Sequence, residues 1–342
     1  MELGGVDLDA LAAWMDRRGL GSGPLNDPRL IAGGTQNILL RFSRADREYV
    51  FRRPPPHKRS NSDETMRREA RILAALHGTD VVHPALIAAE PDESVLGAAF
   101  YLMEPVDGFN ASLGLPEPHA SNPVLQHSMG LSMADAIAAL GRVDFRAVGL
   151  GDFGKPDGWL ERQVQRWRSH LQSYDAVPGY AGAQIPGVEA VAGWLDVEAP
   201  ATWTPGLLHG DFHFGNVLIH PSRGELAAIV DWELATVGDP LLDLGHLLVT
   251  WPTNPSGVAA RLAEVALPTP EELLARYAEG SRRDLSAVRW YQVLACYRLG
   301  IILEGTNARA DAGLAPRETG DQLHAHTLHL FEQALTLIDS PG

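Results

Sequence analysis

The chain has 342 residues, 45% of them apolar and 21% charged, which is ordinary for a globular protein and enough for two packed cores. A net charge of −15 disfavours non-specific nucleic-acid or anionic-membrane binding, which relies on clustered positive charge. The sequence contains no uncharged apolar run of about 18 residues, no basic-then-apolar leader and only one cysteine, Cys296, so a cytoplasmic protein without a membrane span or internal disulfide is expected.

In chain order, residues 6–19 predict a short amphipathic helix with Leu8, Leu11, Trp14 and Met15 on one side. The segment GSGPLNDP breaks that pattern. Strands are expected at Ile38–Phe42 and Tyr49–Arg53, joined by the polar turn SRADRE and preceded by Gly33 and Gly34. Pro54–Pro56 stop the second strand. A helix over Glu64–His77 and two further strands, within HPALIAAEPDE and GAAFYLMEPVDG, complete a small sheet with one helix. Beyond residue 109 the pattern turns helical, with segments near 123–141, 157–173, 186–196, 270–279, 284–305 and 318–338. The interruption at 205–243 carries most of the Asp, His and Gly punctuation. Three parts are expected: residues 1–103, a hinge at 104–109, and 110–342.

The densest polar stretch, LLHGDFHFGNVLIH at 207–220, is followed by ELAAIVDWELATVGDPLLDLG at 225–245. The apolar runs VLI and AAIV flank the turn SRG and read as a hairpin. That hairpin places Asn216 before one strand and Asp231 after the next, at the same end, with Asp211 in the loop leading in. Oxygen donors in this number suit Mg²⁺, which takes one or two protein ligands and keeps phosphate oxygens and water for the rest. Asn216 and Asp231 fit that part. Asp211, kept off the metal, fits a base that orients a hydroxyl and accepts its proton. The other end of a nucleotide calls for backbone and cationic donors. Gly33-Gly34-Thr35-Gln36-Asn37 opens a strand and supplies pliable backbone. In YVFRR, alternation puts Arg52 and Arg53 on opposite faces, so one points toward the cleft, where Glu69 of the following helix is its natural partner.

These segments resemble the aminoglycoside phosphotransferase-like family of the protein-kinase-like fold, a branch that includes choline, homoserine and methylthioribose kinases. HGDFHFGN is similar to the family's H-G-D-x-H-x-x-N loop, IVDWE to its metal-binding element and GDPLLDLG to the segment after it. GGTQN, YVFRRPPP, RREARILAAL and YLMEPVDG follow the family's N-terminal order over nearly the whole chain. RLGIILEGTNARADAG resembles a subgroup containing kinase domains fused to some acyl-CoA dehydrogenases. The resemblance implies a bilobal α+β fold, with a small antiparallel sheet plus helix and a larger helical lobe. It implies an ATP- and Mg²⁺-dependent phosphotransferase acting on a small-molecule hydroxyl, with Asp211 as base and Asn216 and Asp231 on the metal. Gly33, Gly34, Thr35, Asn37, Arg52, Glu69 and the backbone of Glu104 and Val106 would then meet the nucleotide. His209, Asp239 and Asp243 would brace the loop. Many relatives carry lysine where alignment puts Arg52; this chain has only Lys58 and Lys155.

Two readings compete. The spacing of His209, Asp211 and His213 also suits a metal-dependent phosphoesterase, although no second His/Asp cluster of that density occurs. A non-catalytic nucleotide-binding module of the same fold is the other. No G-x-x-x-x-G-K-[ST] occurs, which excludes a P-loop kinase. Acceptors compatible with the residues are an aminoglycoside or macrolide, an amino alcohol, a sugar-like metabolite or a hydroxyacyl thioester. Asp135, Asp157, Glu161, Glu304 and Asp311 either line a cation pocket or face water. Trp159, Trp167, Trp251, Trp290 and Tyr297 either floor a pocket or pack a core.

Overall fold

The computed structural model describes residues 2–31, 37–58, 60–252 and 262–340. A two-residue ladder, β1 (Glu2–Leu3) with β2 (Val6–Asp7), leads into α1 (Leu8–Arg17). Asp7 caps α1 by accepting from the N–H groups of Asp9 and Ala10. The apolar stripe Leu8, Leu11, Trp14 and Met15 is buried against Leu40, Phe42, Phe51 and Phe100. Those four lie on the outer face of an antiparallel sheet of β3 (Asn26–Leu30), β4 (Ile38–Arg44), β5 (Arg47–Arg53), β6 (Leu86–Glu90) and β7 (Phe100–Met103), in the order β3-β4-β5-β7-β6. The opposite face, with Val50, Tyr101 and Met103, packs on α2 (Ser62–Leu76) through Met66, Ala70 and Leu73. That second core runs on into the helical part.

β3 was not expected from sequence. NDPRL contains a turn-like Asn-Asp-Pro, and all but one of its residues are exposed. Proline is tolerated there because β3 is an edge strand whose register shifts between Asn26 and Arg29.

Residues 104–109 pass from β7 to the helical part, where Phe109 pairs with Ile219. This part holds α3 (Pro123–Arg142), α4 (Gln163–Ser173), α5 (Val188–Val197), β8 (Gly206–Leu208), β9 (Val217–Ile219), β10 (Leu226–Ile229), β11 (Thr236–Gly238), α6 (Leu241–Val249), α7 (Pro270–Gly280), α8 (Val288–Asp311) and α9 (Arg317–Asp339). α4 is shorter than expected, starting at Gln163, and α8 runs longer, to Asp311. α6 was missed altogether. Every residue of Leu241–Val249 is buried, so no polar face marks its period. A Cβ at Gly245 would lie 2.6 Å from the Tyr291 carbonyl carbon, so α6 and α8 touch backbone to backbone. The aromatic set Trp159, Trp167, Trp251, Trp290 and Tyr297 is buried in the core, as is Cys296. Among the described residues no helix is long and apolar enough to cross a membrane.

Candidate active site

β9 and β10 form the expected hairpin, and the Val230 N–H donates to the Asn216 carbonyl (2.9 Å). Asn216 and Asp231 therefore leave the same end of the ribbon. The Asn216 amide nitrogen donates to the Asp211 carbonyl and to Asp211 Oδ2, both at 2.9 Å. Its Oδ1 accepts no hydrogen bond among the described residues. Asp231 holds φ +66°, a left-handed conformation that strains any residue with a Cβ, and its side chain is 38% exposed.

The loop carrying Asp211 is held from beneath. Asp243 Oδ2 and Oδ1 accept from the N–H groups of His209 (2.6 Å) and Gly210 (2.8 Å). Asp239 accepts from the Leu241 N–H and the Tyr291 hydroxyl. Gly210 has φ +85°, and a Cβ there would meet the Leu234 carbonyl oxygen at 2.5 Å, so the motif's glycine is sterically required. His209 is fully buried, with Nδ1 accepting from the Asp211 N–H and Nε2 bonded to the Val230 carbonyl. Both ring nitrogens are engaged by backbone, so His209 cannot be the metal ligand of the phosphoesterase alternative.

His213 Nε2 and His246 Nε2 each lie 3.5 Å from an Asp211 oxygen. Burial acts to raise the Asp211 carboxyl, but hydrogen bonding by His213, the electrostatics of His213 and His246 and, last, the charge of Arg298 outweigh it and hold the group well below the usual carboxylate range. Asp211 is thus a carboxylate at neutral pH. His246, unremarked in the sequence, is 1% exposed, and neither ring nitrogen has a hydrogen-bond partner. Burial pushes it down to about 3, against the opposing pull of Asp211. The native chain therefore binds fewer protons than the unfolded one between about pH 3 and the unfolded value near 6.5. Stability should fall as pH drops through that window, by up to about 1.4 kcal/mol per pH unit from this residue. Urea denaturation at pH 7.5, 6.5 and 5.5 should show His246→Leu losing less stability on acidification than the parent; parallel curves would contradict it.

On the sheet side, Arg52 points inward and Arg53 outward. Arg52 is 7% exposed, with Nε 3.0 Å from Glu69 Oε2 and Nη2 donating to Asp231 Oδ1 at 2.6 Å. The Tyr101 hydroxyl donates to Glu69 Oε2 (2.7 Å). Glu69, 1% exposed, is pushed up by burial to about 7, with Arg52 pulling the other way. Arg53 instead spends its guanidinium on the carbonyls of Pro54, Gly5 and Leu96. Arg68 of α2 donates to the carbonyls of Phe153 and Ala235, tying that helix to the segment after Asp231. Glu104 donates its N–H to the Ala85 carbonyl, and its side chain pairs with Arg47. Its own carbonyl and the Val106 N–H make no hydrogen bond among the described residues. Asn37 precedes β4. Gly33, Gly34 and Thr35 lie outside the described residues.

A separate cavity of about 920 Å³, lined by Arg142, Trp203, Arg283 and Trp290, meets this constellation at Asp239 and the neighbouring Leu241.

A family model described as the phosphotransferase enzyme family (APH) matches residues 27–291. Acyl-CoA dehydrogenase family member 10 of Mus musculus is 28% identical over 316 residues, 90% of this chain and 29% of that protein. Probable acyl-CoA dehydrogenase IBR3 of Arabidopsis thaliana is 30% identical over 343 residues, 93% of this chain and 39% of that protein. The chain thus spans well under half the length of these relatives. Among solved structures, a Ralstonia eutropha protein assigned provisionally to the aminoglycoside phosphotransferases is 28% identical, with a TM-score of 0.79 over 97% of this chain and 99% of that one. A thermostable mutant of APH(4)-Ia, in ternary complex with AMP-PNP and hygromycin B, matches 97% of this chain and 99% of its own at TM-score 0.61 and 14% identity, which speaks for the fold alone.

Proposed function

Because this chain belongs to the phosphotransferase enzyme family and has its bilobal kinase-like fold, we propose that it moves the γ-phosphoryl group of ATP to a hydroxyl of a small molecule. The observation that supports this most is that one hairpin end carries both Asp231, held by Arg52 beside Glu69, and Asn216, held on Asp211. The adenine edge is assigned to the Glu104 carbonyl and the Val106 N–H, backbone groups between the sheet and the helices that make no hydrogen bond among the described residues. Arg52 is the phosphate-facing cation. It keeps the charge of the more usual lysine and adds a planar fork that reaches Glu69 and Asp231 at once.

Asp231 and Asn216 suit Mg²⁺. They offer hard oxygens, one on a strained and partly exposed aspartate and the other an amide oxygen not otherwise engaged. Bound there, Mg²⁺ would neutralise phosphate oxygens in the transition state. Asp211 accepts the acceptor hydroxyl's proton as the new O–P bond forms and the bond from Pγ to the β,γ-bridging oxygen breaks, leaving ADP and a phosphate monoester. A carboxylate held at low pKa is a weak base, so it orients the hydroxyl and receives the proton late. The full arrangement of groups speaks against a purely regulatory module.

The test is nucleotide binding with and without Mg²⁺. Asp231→Ala should lose the Mg²⁺-dependent part of ATP affinity, at least about tenfold, as read by calorimetry or a fluorescent analogue. Unchanged affinity in that variant, or a parent protein that binds no ATP, would overturn the proposal.

A further inference from the structure

Arg298 lies in the α8 segment whose sequence marked the subgroup, and above it enters only through its charge on Asp211. Its side chain is 6% exposed. Among the described residues its guanidinium makes no hydrogen bond and no ion pair. It lies over the face of Trp167, 5.4 Å from the ring centroid. A guanidinium carries five N–H donors, and one this nearly buried without protein acceptors leaves them to water or to a ligand. Burial lowers its pKa, while the charges of Asp211 and Asp243 favour the cation, so it is close enough to the base for their charges to interact. Arg166 of α4 approaches the same Trp167 ring at 5.3 Å, and its positive charge also acts on Arg298. His213 and His246 flank Asp211 itself.

In a chain of net charge −15, the surroundings of the base are therefore rich in donors and cations. The acids that sequence offered for a cationic acceptor are committed elsewhere or exposed. Asp135 pairs with Arg276 and Asp311 with Arg317. Glu304 is fully buried, accepting from the Tyr180 hydroxyl and Asn307 and paired with His324. Asp157 and Glu161 are exposed.

We propose that Arg298, backed by Arg166 and the face of Trp167, reads an anionic oxygen group on the acceptor, so that the substrate is a hydroxyl compound bearing a nearby carboxylate or phosphate and not an amine-bearing one. This rests on the phosphotransferase reading and narrows it to an acceptor class. Arg298 is a specificity-determining residue. It grips the acceptor's anion while Asp211 holds the hydroxyl, and the Trp167 ring supports the carbon chain between them.

The experiment measures ADP release with Mg²⁺-ATP and a series of hydroxycarboxylic acids with the hydroxyl at successive carbons. The same carbon skeletons are supplied as amides, methyl esters, amino alcohols and hydroxyl-bearing phosphate monoesters, with an aminoglycoside alongside. An anionic acceptor should exceed its neutral match in kcat/KM by about 10- to 100-fold. The carboxylate and phosphate arms identify which anion is read. Arg298→Met should reduce that preference to within about threefold, Arg298→Lys should restore part of it, and ATP affinity should stay at the parental value in both. Arg166→Gln, at an exposed position, should weaken the preference without any risk to folding. Equal or better turnover of amides, esters or amines overturns the proposal while leaving the kinase reading intact. So does an anion preference unchanged in Arg298→Met, or ATP binding with no transfer to any anion in the series. Loss of Mg²⁺-dependent ATP binding in the parent sinks the kinase reading instead.

Discussion

Asp211→Asn is expected to lower phosphoryl transfer by about 10²- to 10⁴-fold, the usual contribution of a positioned general base, while ATP affinity changes by no more than a few-fold. The separation follows from geometry. Asp211 receives the Asn216 amide on Oδ2 and has both histidines 3.5 Å away, and among the described residues it makes no hydrogen bond or ion pair with the Arg52–Glu69–Asp231 group. An amide at this position keeps the shape and can still meet Asn216 through its oxygen. It cannot take a proton from a hydroxyl. The loop itself should survive, because its anchors are the Asp243 carboxylate and the φ of Gly210, neither of which is altered. Single-turnover transfer to the best acceptor of the series, with nucleotide titration on the same preparation, reads both quantities. Turnover within tenfold of the parent would remove Asp211 from the role of base. A large loss of ATP affinity would move it onto the metal.

That separation was visible in the amino-acid sequence only in part. The spacing from Asp211 to Asn216 and the position of Asp231 after AAIV were enough to put three oxygen donors at one end of a hairpin, because a hairpin leaves few other places for them. Strand alternation was enough to split Arg52 from Arg53 but not to say which faced inward. Packing settles that: Arg53 is consumed by three carbonyls on the outer face. What could not be read depended on contacts between distant segments. His246 comes to Asp211 on α6, a helix with no polar face to announce it. Arg298 comes on α8, buried across several turns, in a segment whose sequence carried a subgroup resemblance but no role for this residue. Glu304 was open to either a cation pocket or water and is fully buried, because Tyr180, Asn307 and His324 surround its carboxylate. β3 was hidden for the opposite reason: an exposed edge strand has little need of an apolar pattern.

Arg52→Ala is the variant in which folding and function should fail together, and a second substitution should separate them. Arg52 ties Glu69 of α2 to Asp231 of the helical part, and Tyr101 completes the group from β7. Removing the arginine strands Glu69 at 1% exposure. Breaking one side of a buried pair costs about 3–5 kcal/mol. Part of that cost is relieved if Glu69 protonates, which its raised pKa favours. The loss should therefore be larger at pH 8 than at pH 6, since a proton can fill the missing charge only at the lower pH. Arg52→Met with Glu69→Leu removes both charges and should recover most of the stability, as replacement of buried pairs by packed apolar residues often does. Nucleotide affinity should not recover, because the group opposite the phosphates is still missing. Urea denaturation at the two pH values and ATP titration of both variants decide the matter. If the double variant regains ATP binding along with stability, Arg52 serves the fold alone, and some other cation must meet the phosphates.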